Sequence, residues 1–271
     1  MLVSNRMRFP YSRDVVWFAS GEYSTSRFRA RVTYLRQHSM DIPLELIVSD
    51  ERFYTLFLDL SHDVDDLKSR FTKTFRYDIN RSRKEAITHL RQEIGGEGGE
   101  AFVERHRAFN LKKGLGRSLT TVDLMRLKGS LRLYSAFKGE EPLADILLIS
   151  DGFRARQWVV VNNTNHPSRN LVGYASKALV WESIQDAKAS NHQIYDFGGI
   201  VLDENDPRHG ITEYKRSFGG RLVEERNTLV VRNRVDRAVY GWLRKVAKRS
   251  THSRRVPAPD GIDDRRKTHV D

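Results

Sequence analysis

The segment Tyr195–Gly220, YDFGGIVLDENDPRHGITEYKRSFGG, decides how the rest of the chain is read. It opens on a short apolar strand that ends in Asp196 and Phe197 and gives onto Gly198-Gly199. A polar loop with Asp203, Asp206, Pro207 and His209 follows, then a short helix predicted from Ile211 to Phe218 and closed by Gly219-Gly220. A glycine pair after a strand permits positive φ, or close approach of a ligand to the backbone, because no Cβ intervenes. The second pair sits where a helix C-cap belongs, before a strand predicted over Arg221–Val231. Lys215, Arg208, Arg216, His209 and several carboxylates lie between the two pairs. A strand running into such a charged, glycine-bracketed loop has the character of a site rather than a connector.

Working outward, a helix is predicted over Asn170–Ser190, with Leu171, Tyr174, Ala178, Trp181, Ile184 and Ala187 as its buried stripe. Before it, Ser130–Phe137, Leu143–Ser150 and Ala155–Asn162 read as an antiparallel meander of three strands, turned by Lys138–Glu141 and Ser150–Gly152. Helices are predicted over Ala101–Lys113 and Ser118–Arg126, after a flexible break at Gly95–Gly99. Leu67, Phe71, Phe75 and Ile79 lie four apart, so Leu67–Arg91 reads as a helix, or a helix with one break, started by Ser61 with Asp63, Asp65 and Asp66. Its many lysines and arginines form either a solvated face or a phosphate-facing surface. Phe53–Leu60 and Val15–Ala19 read as strands, and Ser26–Gln37 stays open between helix and strand. At the other end, Arg234–Arg249 reads as an amphipathic helix whose Val235, Val239, Trp242, Leu243 and Val246 either pack on the sheet or lie on an anionic membrane. The charged residues from Ser250 onward are expected to be disordered.

Composition narrows the partners. The 271 residues are 39% hydrophobic and 30% charged, enough for a real core and a soluble surface. No apolar run is long enough to span a bilayer, and the first residues carry no continuous apolar stretch of a signal peptide, so a cytoplasmic protein is expected. The absence of cysteine excludes disulfides, thiolate metal sites and a cysteine nucleophile, and no metal is expected. The net charge of +12 favours an anionic partner: a phosphate-bearing substrate, RNA or a membrane surface.

The combination Asp196-Phe197-Gly198-Gly199, Gly210-Ile211, Tyr214-Lys215-Arg216 and Phe218-Gly219-Gly220 resembles the signature of the Fem-type branch of the GNAT acyltransferase superfamily. That branch comprises the peptidoglycan-bridge aminoacyltransferases and their relatives in polysaccharide gene clusters. The resemblance implies an α/β (α+β) protein with a GNAT-like fold, a central mixed, mainly antiparallel sheet flanked by helices. It covers about two-thirds of the chain. It implies a GNAT unit over residues 100–249, a reduced or divergent GNAT-like half over 1–95 and a basic tail over 250–271.

The implied reaction is transfer of an acyl or aminoacyl group onto an amine of a cell-wall or polysaccharide precursor. The donor is acyl-CoA or aminoacyl-tRNA. The expected partners are an anionic small-molecule or lipid-linked substrate, tRNA, and an inner membrane surface touched peripherally. Such a transfer passes through a tetrahedral oxyanion, and one well-placed donor is worth about 3 kcal/mol to it. Lys215 is the resemblance's candidate for that donor, with Tyr214 beside it in place of the usual phenylalanine. Asp196, at a strand end, can orient an amine, act as a base or cap the loop; His209 and Glu213 are further candidate bases. Lys73, Arg76 and Ile79 resemble a basic run that follows the family's first strand. Asn170–Ala175, with Gly173 and Ala175, partly matches the GNAT loop that cradles the CoA pyrophosphate. Asn170 there reads as a helix N-cap, and phosphate binding rests with Arg169. Substrate- or phosphate-binding is thus expected of Arg169, Lys73, Arg76, Gly198, Gly199 and Arg216. A rival reading from another class is a non-catalytic basic module that binds RNA or an anionic membrane on a degenerate GNAT scaffold.

Overall fold

Central strands buried on both faces, such as Glu141–Ser150, and a 3.6-residue period along the helices sort the chain into one large sheet with helices on both faces. The computed structural model describes residues 1–8, 11–24, 26, 28, 30–92 and 94–240. The strands are β1 (Leu2–Arg8), β2 (Tyr11–Trp17), β3 (Ser20–Glu22), β4 (Val32–Asp41), β5 (Ile47–Asp59), β6 (Thr88–Gln92), β7 (Leu131–Lys138), β8 (Glu141–Ser150), β9 (Arg154–Asn162), β10 (Ile194–Ile200) and β11 (Arg221–Val231). The helices are α1 (Val64–Ser69), α2 (Lys73–Lys84), α3 (Glu97–Lys113), α4 (Thr121–Arg126), α5 (Arg169–Ala189) and α6 (His209–Arg216). The strand order is β1-β2-β4-β11-β5-β10-β9-β8-β7-β6, with β3 paired to β4 alone. Pairing is mainly antiparallel; β9 and β10 run parallel, joined by the crossover helix α5, and β2 and β3 each run parallel to β4.

On one face, Leu56, Leu58, Tyr195 and Phe197 pack with Phe71 and Phe75 near and on α2, the apolar stripe of α5, and Phe218. On the other, Leu131, Leu133, Leu147 and Ile149 pack under Phe102 of α3 and Leu124 of α4, together with Trp17 of β2. The rings of Trp17 on β2 and Trp158 on β9 are 5.8 Å apart, although β4, β11, β5 and β10 separate those strands in the sheet. The sheet therefore curls, by accumulated twist, and encloses the inward-facing side chains of the strands between.

Several elements depart from the sequence reading. Leu67, Phe71, Phe75 and Ile79 do share one buried face, but the helix breaks between α1 and α2. There the Thr72 N–H donates to the Ser217 carbonyl at 3.0 Å, tying the break to the segment after α6. The run ends at Ala86, whose φ of 51° turns the chain into β6, an edge strand rather than helix. Gly95–Gly99 is less a flexible break than a helix start, with Gly96 as N-cap and Gly98 and Gly99 inside α3. A Cβ on Gly98 would meet the end of the Gln92 side chain, which lies against α3. The open segment 26–37 enters β4, and β5 begins at Ile47, not Phe53. The β1–β2 hairpin was not foreseen. Ser168, not Asn170, caps α5, accepting the Leu171 N–H at 3.3 Å.

Residues 234–240 are helical, but Val235 and Val239 face solvent while Tyr240 packs on Val32, Leu229 and Val231. The described turns thus pack by a different face from the expected stripe. Residues 241–249 and the tail from 250 lie outside the described residues. Among the described residues no helix is long and apolar enough to cross a membrane.

Candidate active site at the divergence of two parallel strands

β9 and β10 pair for only three residues, Arg154–Arg156 against Ile194–Asp196. Both strands continue, β9 on β8 and β10 on β5, but no longer on each other. At the same point β10 bulges against β5, where Asp196 faces Phe57 and Gly199 faces Thr55. Gly198 takes φ +76° in the bulge, and a Cβ there would lie 2.8 Å from the Gln157 carbonyl oxygen. The glycine pair therefore lies inside the strand rather than beyond its end, and it is what allows β9 and β10 to come together before they part.

Lys215 reaches this gap from α6. Its Nζ donates to the Gly199 carbonyl at 2.7 Å. Two anchors hold α6 in place: Thr212 Oγ1 bonds both the N–H and the C=O of Val201 at 3.1 Å, and Phe218 is fully buried against Phe71, Phe75 and Phe197. The Lys215 side chain is half-buried. Burial, and then repulsion by Arg156, push its pKa down to about 8, with Asp196 opposing.

Asp196 is fully buried. Its carboxylate accepts from Arg154 Nε at 2.9 Å, Gln37 Nε2 at 3.0 Å, the Gly198 N–H at 2.7 Å and the Thr55 hydroxyl. Burial pushes this carboxyl up, but Arg154 and Arg156, with the Thr55 and Gly198 bonds, hold it below the usual carboxylate range. Arg154 also bonds Glu225 at 2.7 Å through two nitrogens. Asp196 is thus an occupied, low-pKa carboxylate, which makes it an electrostatic anchor and a loop cap and a poor proton acceptor. Aromatic rings wall the cluster: Arg154 lies over Phe57 and Phe18 at 4.3 and 4.4 Å, and Arg36 lies over Trp17 at 4.1 Å. A cleft of about 190 Å³, lined in part by Phe18, Gln37, Arg154 and Glu225, opens beside the network.

The other residues singled out in the sequence are placed elsewhere. The Tyr214 ring sits in the core against Phe75 and Phe218, its hydroxyl 3.3 Å from Ser176 Oγ on α5, and burial pushes its pKa up to about 12. It anchors α6 rather than facing the gap. Arg76 Nη1 donates to the Ser69 carbonyl at 2.7 Å and so closes α1. Lys73 opens α2 with an exposed side chain, and Arg169 opens α5 likewise. Arg216 pairs with Glu213 on the surface at 2.9 Å, and His209 lies 3.4 Å from the same carboxylate. Gly173 and Ala175 are inside α5, so Asn170–Ala175 is helix and not a pyrophosphate loop. Only Lys215, Asp196, Gly198 and Gly199 of the predicted set converge.

Arg154, Arg156, Thr55, Gln37 and Glu225 complete the cluster and were missed. The first two carry a local signal, two arginines at i and i+2 in an apolar strand, which puts both on one face. The other three come from β5, β4 and β11 and carry none. Among the described residues no group of three or more His, Asp or Glu side chains is placed to hold a metal ion.

Two of the solved structures to which this chain is similar bear on its fold. FemX aligns over 70% of this chain and 63% of its own, with a TM-score of 0.56 and 13% identity. The fold is FemX-like. The C-terminal domain of a protein assigned as a lysylphosphatidylglycerol synthetase from Agrobacterium fabrum aligns over 90% of this chain and 84% of its own, with a TM-score of 0.55 and 11% identity. At such identities the likeness is one of fold, and the chain spans under two-thirds of FemX. No protein-family model matches the sequence, and no curated protein does. Among the described residues the diverging pair is the only parallel contact made by β10, and α6, which carries Lys215, is the element that follows it.

Proposed function

We propose that this chain is an N-acyltransferase that moves an acyl or aminoacyl group onto an amine of a cell-wall or polysaccharide precursor, with the reaction at the β9–β10 gap. The observation that carries this reading is the Lys215 ammonium, half-buried, held at the Gly199 carbonyl and facing two strands whose edges no longer pair. The donor's carbonyl carbon is attacked by the amine, and the carbonyl oxygen becomes anionic. An ammonium fixed in a poorly solvated gap stabilises that charge more than it stabilises the neutral carbonyl, which is the condition for acceleration. The bond to the departing hydroxyl or thiol then breaks, and that group ends with the proton lost by the amine. Asp196 keeps Arg154 and Arg156 in place and, through the Gly198 N–H, fixes the bulge against which Lys215 lies.

Aminoacyl-tRNA is favoured over acyl-CoA as donor. The N-terminus of α5 is capped by its own Ser168, and the segment expected to cradle a pyrophosphate is helical. The net charge of +12 suits a polyanionic donor. The second structural neighbour is named for lysylphosphatidylglycerol, an amino acid joined to an anionic lipid, which fits an aminoacyl group and an acceptor at a membrane surface.

The test is thermal unfolding with charged tRNA, uncharged tRNA, acetyl-CoA and free CoA. A donor that binds only the folded chain stabilises it by about 2.7 kcal/mol at a hundredfold excess over its Kd. For a chain of this size that raises the midpoint by roughly 5–10 °C. The largest rise is expected with charged tRNA. A rise confined to the CoA compounds overturns the donor assignment, and no rise with any of them overturns the acyltransferase reading.

A further inference from the structure

The surroundings of the Arg156 guanidinium do not account for its burial in the cluster. Its side chain is 7% exposed, on the inner face of β9. Nε and Nη1 are buried and hydrogen-bonded to nothing in the described structure. Its approach to a carboxylate is loose, 3.6 Å from Nε to Asp196 Oδ2, and that carboxylate is already occupied by Arg154, Gln37, Thr55 and the Gly198 N–H. Glu225 is taken by Arg154 as well. Arg36, Arg154 and Lys215 lie near enough to repel Arg156, and among these groups cations outnumber carboxylates. Burial and that repulsion pull Arg156 down to about 10. A buried guanidinium left with unmade hydrogen bonds is costly, and such groups persist where something else supplies the partner.

The position of the partner is marked by Gly198. A Cβ built on it would sit 3.6 Å from Arg156 Nη2 and 3.5 Å from Lys215 Nζ. Two cations thus approach one point in the gap, beside the Gln157 carbonyl oxygen, which lies 2.8 Å from that Cβ position; an anion between the two cations has to sit on the side away from that carbonyl. The rings of Trp17 and Phe53 lie 5.3 and 5.7 Å from the guanidinium carbon and keep it from water.

We propose that Arg156, with Lys215, forms a buried anion site in the β9–β10 gap that binds a carboxylate or phosphate oxygen group carried by the substrate. The planar guanidinium suits two oxygens of one such group, and Lys215 adds a point charge beside it. The proposal names the substrate class of the β9–β10 gap assigned above. It rests on that reading for the reaction, though the binding itself does not.

The experiment is titration of the full chain, at constant ionic strength, with inorganic phosphate and methyl phosphate in one arm and acetate and N-acetylglycine in the other. The readout is saturable binding by calorimetry. One arm is expected to bind, and which one binds assigns the source of the anion. Arg156→Gln is expected to weaken that binding at least tenfold, Arg156→Lys less, and Arg208→Gln, a surface change, not at all. No saturable binding in either arm, or equal binding by Arg156→Gln, overturns the site. If Arg156→Gln fails to fold, the Arg156 Nε–H resonance of the unaltered protein decides: it shifts on titration if the site exists and stays fixed if it does not. Anion binding without transfer from any donor keeps this site and removes the acyltransferase reading. Transfer with an unchanged KM in Arg156→Gln does the reverse.

Discussion

Lys215→Met is expected to lower the transfer rate by about 10²–10³-fold, the cost of deleting one oxyanion donor, without lowering the unfolding midpoint. The second half of that statement distinguishes a functional lysine from a structural one. The folded chain disfavours the Lys215 ammonium, whose pKa falls from 10.5 to about 8. The unfolded chain binds that proton more tightly, so stability rises with pH between those two values. Below pH 8 the folded protein carries the full cost of the desolvated ammonium, and an apolar side chain of similar length removes it. At pH 7 the variant should therefore be at least as stable as the parent, with the difference shrinking as the pH approaches 10.5. The rate of the parent should fall as the pH rises through about 8, because the neutral amine no longer stabilises an oxyanion. Kinetics on matched donor and acceptor, together with denaturant unfolding at pH 7 and pH 10, check both. A rate that climbs through pH 8 would make Lys215 a base instead.

Asp196→Ala is expected to destabilise the fold by about 3–5 kcal/mol, the cost of breaking a buried ion pair from one side. Removing this carboxylate leaves Arg154 and Arg156 in the curl of the sheet with Glu225 as their remaining nearby carboxylate, and it orphans the Gly198 N–H, while the Thr55 hydroxyl keeps the Gly198 carbonyl and the Gln37 amide keeps Glu225. Asp196→Asn keeps part of the hydrogen bonding and should lose less. Because the carboxyl is held below its ordinary value, the stability it contributes is complete above that ordinary value. It is lost only as the pH falls through the lowered one. Urea unfolding at pH 7 and pH 3 measures it. A loss under 1 kcal/mol for the alanine variant would mean that the cluster is solvated and not a buried anchor.

The two expectations also show what the sequence could carry. The glycine frame around Lys215 was legible because φ above zero and a close backbone approach leave a mark on residue type, and Gly198 does take φ +76°. The helix–strand order from α3 to β11 was legible from helical period and from short apolar runs bounded by turn residues. The paired partners of Asp196 were not. Gln37, Thr55 and Glu225 reach it from three strands far apart in sequence, and a lone polar residue on a strand looks the same whether it faces water or the inside of a curled sheet. Tyr214 shows the opposite error. Its place beside Lys215 in the chain suggested a shared task, yet adjacent residues on a helix point about 100° apart, and the ring lies in the core against Phe75. Arg76 likewise sat in a basic run that suggested phosphate, and one of its nitrogens instead closes the carbonyl end of α1. Asn170–Ala175 failed for a third reason: a loop motif is informative only if the segment is a loop, and here Ser168 starts the helix two residues earlier.

The most direct test of the account is the ionisation of Lys215 itself, which needs neither donor nor acceptor. Reductive ¹³C-methylation followed by NMR titration gives each lysine its own curve, and Lys215→Arg assigns the one that disappears. A midpoint near 8 is expected, well below the ordinary lysine value of 10.5, and it should rise when a bound anion occupies the gap. A midpoint at 10.5 that no anion moves would contradict the account, because it would describe a solvated surface lysine and leave the β9–β10 divergence without its electrostatic purpose.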